Sequence, residues 1–452
     1  MKIATRFSVS LCTLLAFFVL AATAIGLAQD NDAITQFDSS NNHATHMQVT
    51  PRGHTNGMDH ARFGITDIDS LVNFNDRYDV QGFDSNGNPN FKWYTNTVGN
   101  PPQMGGTTVI NAPIVPVSID MRNASPDGTT NGTPRYVSIV GGLHTCDNAN
   151  LTDDCHRLFF DVTPFIQPTL QSPVFQVSPF SSSTDPTQIT DAVQRAEYFN
   201  KAKTNWHTLL NPSVKTTRTM VLNRGTYAFK LNADGTCCQF VEVAGGAFGN
   251  ALFPSGTPPF LPGTHDGDTP IGAAEYAGDI TTKDISTFLF PATYLPAGGG
   301  FFVIGFHSYD FEPGDASNGN RERRYVVNYS SWIKPGFFRD PNFLDVTALS
   351  HEIAETFNDP FVASDGIHNI TPWWLSGGNC QNSLEDGDVV EGLPNATYPI
   401  TMPNGITYHP QNEALLQWFQ FQSPSSAIDG AYSYPNEQTL TALSAPQTAG
   451  CK

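Results

Sequence analysis

Only two segments of this chain carry a helical pattern, and this scarcity constrains the fold more than any other feature. The two segments are residues 185–210 and 345–359. The remainder is low in charge and rich in Gly, Pro, Asn, Thr and Phe, a composition that favours strands and loops. The predicted fold class is therefore α+β, a mixed or antiparallel, β-rich single domain that contains one helix with active-site character at 345–359.

Short apolar segments between turn residues predict the strands of this domain, because each combines β-branched or aromatic residues. They are residues 107–120, 135–140, 217–224, 238–245, 300–309 and 323–333. We find no sequence repeat and no clear linker between them. We therefore predict one large domain over 61–452, with a candidate boundary between two lobes near 180–220.

The amino-terminal residues predict export. Two basic residues precede an apolar stretch, and the small residues Gly26 and Ala28 stand before a cleavage position. This is the pattern of a secretory signal peptide, so we expect residues 1–28 to be removed and 29–60 to form a flexible polar segment. The mature protein is then expected to be secreted, extracellular or periplasmic, and no later segment is apolar for long enough to span a membrane.

The charge balance narrows the range of partners. The chain has 42 acidic residues against 23 Lys and Arg, and its formal net charge is −19. An acidic surface of this kind repels nucleic acid and anionic membranes. It is compatible with divalent metals, cationic partners or neutral polymers, so we expect no nucleic-acid partner.

The cysteines predict disulfide bonds, because an even number remains once the signal region is removed from an exported chain. They are Cys146, Cys155, Cys237, Cys238, Cys380 and Cys451. Cys146 and Cys155 bracket a short polar loop and are the expected local pair. Cys237 and Cys238 are adjacent, and we expect each to bond one of the two distant cysteines rather than its neighbour. Spacing alone does not choose among the connectivities.

The second helical segment, DVTALSHEIAETFND, has a clear apolar face. Its apolar residues recur at helical spacing and predict that this face is buried. They are Val346, Leu349, Ile353 and Phe357. Asp345 is the predicted N-cap, and Pro360 ends the run. In an ordinary amphipathic helix the opposite, polar face is exposed to solvent.

That polar face carries the pattern H-E-x-x-E. His351 and Glu355 are four residues apart, so they lie on neighbouring turns of one face and can reach a single metal ion. Zinc accepts both types of ligand. Glu352 is offset by one residue, as the general base is in H-E-x-x-H sites. The pattern therefore predicts metal binding by His351 and Glu355, with Glu352 as the catalytic base.

A zinc ion needs at least a third protein ligand. The predicted one is Glu385, in the acidic stretch SLEDGD. His307, Asp388 and His409 are secondary candidates. Calcium is the open alternative to zinc, since clustered Asp and Asn oxygens suit it, although the EF-hand spacing is missing.

Four short motifs, taken in order, resemble the exordium or phosphate-induced protein family. They are GFH at 305–307, SHEIAE at 350–355, NDP at 358–360 and E-x-x-D at 385–388. Plant members of that family are extracellular cell-wall proteins linked to growth. The stretch CQNSLEDGD also resembles uncharacterised secreted bacterial proteins that carry SHEI-x-E. The resemblance covers about residues 290–420. It implies no defined activity, and it points to His307, His351, Glu352, Glu355, Glu385 and Asp388.

Three functions are compatible with these patterns. The first is a secreted zinc-dependent metallohydrolase, peptidase-like, that acts on an extracellular peptide or polysaccharide. The second is a non-catalytic extracellular protein that binds polysaccharide or a cell-wall partner, for which Trp373 and Trp374 offer aromatic rings. In the third, a zinc or calcium ion only stabilises the fold.

Overall fold

The structure is a computed structural model, and all of its described residues belong to one compact unit, Asn31–Lys452. The described residues are 43–45, 68–69, 71–79, 92–122, 157–180, 186–223, 225–234, 236–254, 269–312, 316, 319–362, 373–374, 380–381, 384–420 and 422–443. Several predictions fall outside them: the signal peptide at 1–28, most of the segment 29–60, the strand at 135–140 and the pair Cys146–Cys155.

The first six elements in chain order are strands, and helices and strands alternate irregularly after them. The strands are β1 (His43–Thr45), β2 (Ile68–Asp69), β3 (Asn73–Asp79), β4 (Lys92–Val98), β5 (Thr107–Arg122), β6 (Arg157–Phe160), β7 (His207–Val214), β8 (Arg218–Leu222), β9 (Tyr227–Lys230), β10 (Phe240–Val243), β11 (Ile285–Pro291), β12 (Thr293–Gly298), β13 (Phe301–Val303), β14 (Gly305–Glu312), β15 (Glu322–Trp332), β16 (Trp373–Trp374), β17 (Cys380–Gln381), β18 (Ile400–Thr401), β19 (Thr407–Tyr408), β20 (Glu413–Ala414) and β21 (Ser433–Tyr434). The helices are α1 (Thr163–Leu170), α2 (Ile189–Glu197), α3 (Gly245–Leu252), α4 (Pro270–Tyr276), α5 (Thr347–Asn358), α6 (Asp388–Glu391) and α7 (Leu416–Phe419).

A mixed sheet of eight strands forms the centre of the described structure. Its main path is β14-β15-β11-β5-β6, while β2 joins β15, and β7 and β8 join β5. Strand β11 is parallel to both of its neighbours, and β14 and β6 run antiparallel at the two ends of the path. Every residue of β11 is buried, as expected for a parallel strand covered on both faces. The predicted α+β class, with a mixed sheet, is confirmed for the described residues.

The two faces of the main sheet pack against different elements. Phe288 and Leu289 are consecutive in β11 and belong to different hydrophobic clusters, since neighbouring side chains of a strand point to opposite faces. Phe288 shares its cluster with Phe248 of α3 and with Val241 of the five-stranded sheet β1-β13-β12-β10-β9. Leu289 shares its cluster with Ile353 of α5. Helix α5 is therefore packed against one face of the main sheet.

The long helix predicted over 185–210 is wrong in its second half. Only Ile189–Glu197 is helical, and His207–Val214 pairs in parallel with β5. Two polar side chains at the start of α2 satisfy backbone amides of this strand. Asp191 of the helix accepts from the Thr208 amide, and Gln188, at the N-cap position, accepts from the Leu210 amide. The ladder with β5 and these tertiary hydrogen bonds outweigh the local helical pattern.

Helix α5 occupies most of the predicted segment, and its apolar face is buried in the hydrophobic cluster as predicted. The predicted N-cap is wrong. The capping position is Val346, which makes no side-chain cap hydrogen bond. Asp345 lies one residue earlier with φ +42°, and its carboxylate accepts from the amides of Val346 and His409 instead. The acid thus joins the helix start to a distant segment.

The expectation for the adjacent cysteines is also wrong. Cys237 and Cys238 form a disulfide with each other, across a cis peptide bond. Neither is therefore available to cross-link a distant segment, and the predicted stabilisation of the domain by long-range disulfides is not confirmed.

Among the helices that the structure describes, none is long and apolar enough to cross a membrane. The longest, α5, has 12 residues, whereas a membrane span needs about 20 apolar ones.

Candidate metal centre

The polar face of α5 is buried, which overturns its interpretation as an ordinary solvated helix face. All residues of the helix are buried, and His351, Glu352 and Glu355 are only 4%, 4% and 1% exposed. Burying ionisable groups costs several kcal/mol each unless they are paired with opposite charge or bind a metal ion. The arrangement around these three residues therefore needs a specific compensation.

Three elements bring six donor side chains together, and we call this set the α5 cluster. Its members are His307, His351, Glu352, Glu355, Glu385 and Asp388. Helix α5 contributes three of them, β14 contributes the first histidine, and the segment 384–388 contributes the last two acids. The side chains of all six are between 1% and 6% exposed.

Strand β14 is held against α5 through its neighbour β15. His307 lies opposite Asn328 in the antiparallel pair. The side-chain oxygen of Asn328 accepts a hydrogen bond of 2.8 Å from the hydroxyl of Thr356, on α5. This contact fixes the helix over the strand pair, so that the imidazole of His307 faces the carboxylates of α5.

The segment 384–388 is attached to α5 by backbone hydrogen bonds. The amide of Leu384 donates to Asp359 at 2.9 Å, and the amide of Gly387 donates to Oε1 of Glu355 at 3.1 Å. On its other side, the Gly387 carbonyl accepts from the Gln411 side chain at 2.6 Å. These contacts order the acidic stretch that the sequence alone leaves as a loop.

Two glycines make room for the α5 cluster. A Cβ atom at Gly387 would lie 2.6 Å from Nδ1 of His351, and one at Gly305 would overlap the carboxylate of Glu352. Neither contact is possible for a larger residue without moving the functional side chain. The glycines of the GFH and EDGD motifs therefore serve close packing at this site.

Five of the six donors, all except Glu352, fall into two groups of three that share Glu355. In the first group, Nδ1 of His307 lies 3.2 Å from Oε2 of Glu355 and 3.7 Å from Oε2 of Glu385. In the second, Nε2 of His351 lies 3.1 Å from Oε1 of Glu355 and 3.5 Å from Oδ1 of Asp388. The structure thus places Glu385, the predicted third ligand, beside His307, and Asp388 beside His351.

These separations suit a metal ion. Ligands about 2.0–2.1 Å from a tetrahedral zinc ion lie about 3.3 Å from one another. Within each group the donor atoms all lie within 4.8 Å of one another. Oε2 of Glu355 is buried and lies 3.2 Å from Nδ1 of His307. An imidazole nitrogen and a carboxylate oxygen at this distance fit a pair of ligands directed at a common ion.

The neighbouring carboxylates raise the pKa of both histidines of the cluster. Burial alone would lower the pKa of His351, but Glu355 and Glu352 raise it well above its usual value. Burial acts in the same direction on His307, where Glu385, Glu352 and Glu355 raise the pKa well above normal. A divalent cation would therefore compete with protons for the two rings.

The pKa values of the two glutamates of α5 are shifted in opposite directions. Burial raises the pKa of Glu352 to about 7, against the lowering effect of His351. Burial would also raise the pKa of Glu355, but the two histidines lower it well below its usual value. Glu355 is thus the more acidic of the two carboxyls, and Glu352 is a carboxyl that can gain or lose a proton near neutral pH.

A second layer of buried acids lies behind the cluster, and sequence reasoning missed most of it. Asn358 of α5 donates from one amide group to Glu197 at 2.9 Å and to Asp386 at 2.7 Å. Burial, and next the charge of Glu355, raises the pKa of Asp386 to about 8. Burial and Asp386 likewise raise the pKa of Glu197 and of Glu413 well above normal. Glu197 and Glu413 carry no local sequence signal, because only the tertiary fold brings them here.

The remaining predicted site features lie elsewhere. Nδ1 of His409 is 2.8 Å from Oδ2 of Asp345, at the start of α5, and His409 belongs to neither group of three among the described residues. Trp373 and Trp374 pair through their backbones with β17, but their side chains lie outside what the structure describes.

Comparison of the chain with protein-family models, with curated proteins and with solved structures found no match. The resemblance to the exordium family stays a prediction based on four motifs. The α5 cluster is therefore the feature of the chain that points to a function.

Proposed function

We propose that this protein is a metal-dependent hydrolase whose metal centre is the α5 cluster, with zinc as the first expected ion. The observation that supports the proposal most is a buried set of imidazoles and carboxylates, in which the imidazole nitrogens lie 3.1 to 3.7 Å from carboxylate oxygens. Imidazole and carboxylate together are ligands that zinc and other first-row metals accept.

Each side chain of the cluster has a distinct role in this proposal. His351, Glu355 and Glu385 are the ligands expected from sequence, and the secondary candidates His307 and Asp388 would complete the two groups of donors around Glu355. A bound divalent ion would supply Lewis acidity and lower the pKa of a water molecule. Glu352 would accept the proton of that water, as a carboxylate whose pKa is raised to about 7 by burial. Gly305 leaves the space that Glu352 needs.

The expected substrate is an extracellular peptide or polysaccharide. The signal-peptide pattern at 1–28 supports an extracellular location, and the acidic composition is compatible with neutral polymers. The non-catalytic alternative is a secreted protein that binds polysaccharide, for which Trp373 and Trp374 offer aromatic rings.

The test compares metal content with turnover in matched variants. Purified mature protein is analysed by elemental mass spectrometry and assayed on panels of peptides and polysaccharides. We expect Glu352→Gln to retain metal and to lose turnover by a factor of about 10² or more. Glu391→Gln, a change three residues after Asp388 and in neither group of donors, is the control and should retain both.

Each other outcome is informative. Metal-free wild-type protein would overturn the metal centre and the hydrolase together. Bound metal without turnover on any panel member would favour the binding protein. Full turnover in Glu352→Gln would exclude that residue as the base.

A further inference from the structure

We propose that the α5 cluster holds two divalent metal ions, bridged by the carboxylate of Glu355. This inference rests on the metal centre proposed above and extends it from one ion to two. Its starting point is the position of the two Glu355 oxygens. Oε2 lies 3.2 Å from Nδ1 of His307, and Oε1 lies 3.1 Å from Nε2 of His351. One carboxylate therefore faces two different imidazoles through its two oxygens.

Each side of this carboxylate has its own complete set of ligands. Glu385 accompanies His307, and Asp388 accompanies His351. Among the described residues two groups of three donors meet within 4.8 Å, and the two histidines fall in different groups. Three protein ligands are the number that a catalytic zinc ion takes, so either group is sufficient for one ion.

The carboxylate of Glu352, like that of Glu355, lies between the imidazoles of His307 and His351. Its Oε2 lies 3.7 Å from Nδ1 of His307, and its Oε1 lies 3.9 Å from Nε2 of His351. A residue one helical turn before the bridge thus also presents one oxygen to each side. Its carboxylate would face both ions, which in two-metal sites lie about 3.5–4 Å apart.

The charge of the cluster is compatible with two ions. When ionised, Glu352, Glu355, Glu385 and Asp388 carry four negative charges, and all four side chains are at most 6% exposed. With neutral imidazoles, two divalent cations match these four charges in number. With one ion, further positive charge, such as a proton on the second imidazole, has to compensate the buried carboxylates.

Oε2 of Glu355 adds a second observation on the His307 side. This atom is buried and makes no direct hydrogen bond, and Nδ1 of His307 lies 3.2 Å from it, while the other oxygen accepts from the amide of Gly387. Buried carboxylate oxygens without partners are rare in native proteins. A cation between Oε2 and the ring of His307 accounts for it.

The experiment measures both stoichiometry and the distance between the ions. The mature full chain is stripped with a chelator and reloaded with Zn²⁺, and its zinc content is measured after gel filtration. A parallel sample is loaded with Mn²⁺ for electron paramagnetic resonance. We expect a twofold molar amount of zinc per chain in the wild type and the spectrum of an exchange-coupled Mn²⁺ pair.

Two variants separate the sides of the bridge. Glu385→Gln should remove the ion beside His307, and Asp388→Asn the ion beside His351, so each variant should bind half the metal of the wild type and lose the coupled spectrum. Glu391→Gln is the matched control and should bind the full amount. Circular dichroism and thermal unfolding establish that each variant is folded.

The alternative results are distinguishable. A single zinc ion in the wild type would overturn the two-ion inference and leave the proposed hydrolase intact. Two Mn²⁺ ions with the spectra of isolated ions would overturn the bridge by Glu355. A wild-type protein that binds no metal would overturn the metal centre itself. The wild-type measurements decide these outcomes even if a variant fails to fold.

Discussion

Histidine meets carboxylate in two very different ways in this molecule. At two places one imidazole is paired with one acid: His207 lies 2.8 Å from Asp191, and His409 lies 2.8 Å from Asp345. These rings are 22% and 15% exposed. In the α5 cluster, by contrast, two fully buried imidazoles are surrounded by four carboxylates.

The simple pairs are already satisfied by the protein. Asp191 accepts hydrogen bonds from the hydroxyl of Thr187 at 2.6 Å and from the amide of Thr208 at 2.7 Å, in addition to its histidine. Asp345 likewise accepts from two backbone amides. Each of these acids attaches one element to another, and no further ligand is needed.

The α5 cluster has a different balance, because four carboxylates meet two imidazoles there. The ratio of carboxylates to imidazoles, together with burial, therefore distinguishes a candidate metal centre from a structural pair. His409 and His307 look similar in sequence, and the structure distinguishes them by this criterion.

The largest expected difference between the two kinds of site concerns their central acids. Glu355→Gln should lower metal affinity by more than about 100-fold, because even outer-shell changes cost 10- to 100-fold. Asp345→Asn, in a structural pair, should leave metal content unchanged, and Asn tolerates the positive φ of this position. Metal titration of both variants checks this. Equal affinities in the two variants would contradict the distinction.

Replacing His351 should change metal content, whereas replacing His409 should change stability. We expect His351→Ala to lose metal, whereas His409→Ala should keep metal and lose about 1–3 kcal/mol of unfolding free energy with its hydrogen bond to Asp345. Elemental analysis and denaturant unfolding measure the two effects. If His409→Ala also lost its metal, the distinction between a ligand histidine and a structural histidine would be wrong.

A smaller effect is expected from the glycine that supports His351. Gly387→Ala puts a methyl group against the imidazole, so we expect about 10-fold weaker metal binding and a loss of about 1–3 kcal/mol of stability. Gly392→Ala is the matched control, since a Cβ there meets nothing within 4 Å, and stability should change by less than about 0.5 kcal/mol. Indistinguishable metal affinities would mean that His351 is not a ligand.

The smallest effect is a dependence of stability on pH. Burial raises the pKa of Glu352 to about 7 and that of Asp386 to about 8, above their values in the unfolded chain. A raised pKa gives stability that is present at low pH and is lost as pH rises through the folded pKa. The melting temperature of chelator-treated protein should therefore fall between about pH 5 and pH 8.

Metal should reverse that trend. The cation neutralises the carboxylates and displaces protons from the imidazoles, so its stabilising effect should grow as pH rises. Differential scanning calorimetry with and without Zn²⁺ across this range measures both curves. A metal-induced shift that is largest at pH 5 would contradict the assignment of these groups to the site.

Much of the local pattern was predictable from sequence. The apolar positions of α5 specify its buried face, and the spacing of His351 and Glu355 predicts a shared face of the helix. Strands such as β5 and β15 follow from their β-branched and aromatic residues. These features depend on neighbours in the chain, which periodicity reports directly.

The rest depends on contacts between distant segments. The local pattern predicts a helix where the structure has strand β7. The pairing of this segment with β5 and its hydrogen bond to Asp191 of α2 decide its conformation, and neither contact is visible in the local sequence. The burial of the polar face of α5 could not be predicted, since it follows from the positions of β14 and of residues 384–388. The division of Glu385 and Asp388 between two histidines is also a result of tertiary packing.

Anomalous X-ray scattering at the zinc absorption edge, from a crystal of the zinc-loaded protein, tests the central claim most directly. We predict strong anomalous density within about 2.0–2.2 Å of Nε2 of His351 and of Glu355, and a second peak beside Nδ1 of His307. Anomalous density confined to sites such as His207 or His409, or absent from the α5 cluster, would contradict the account.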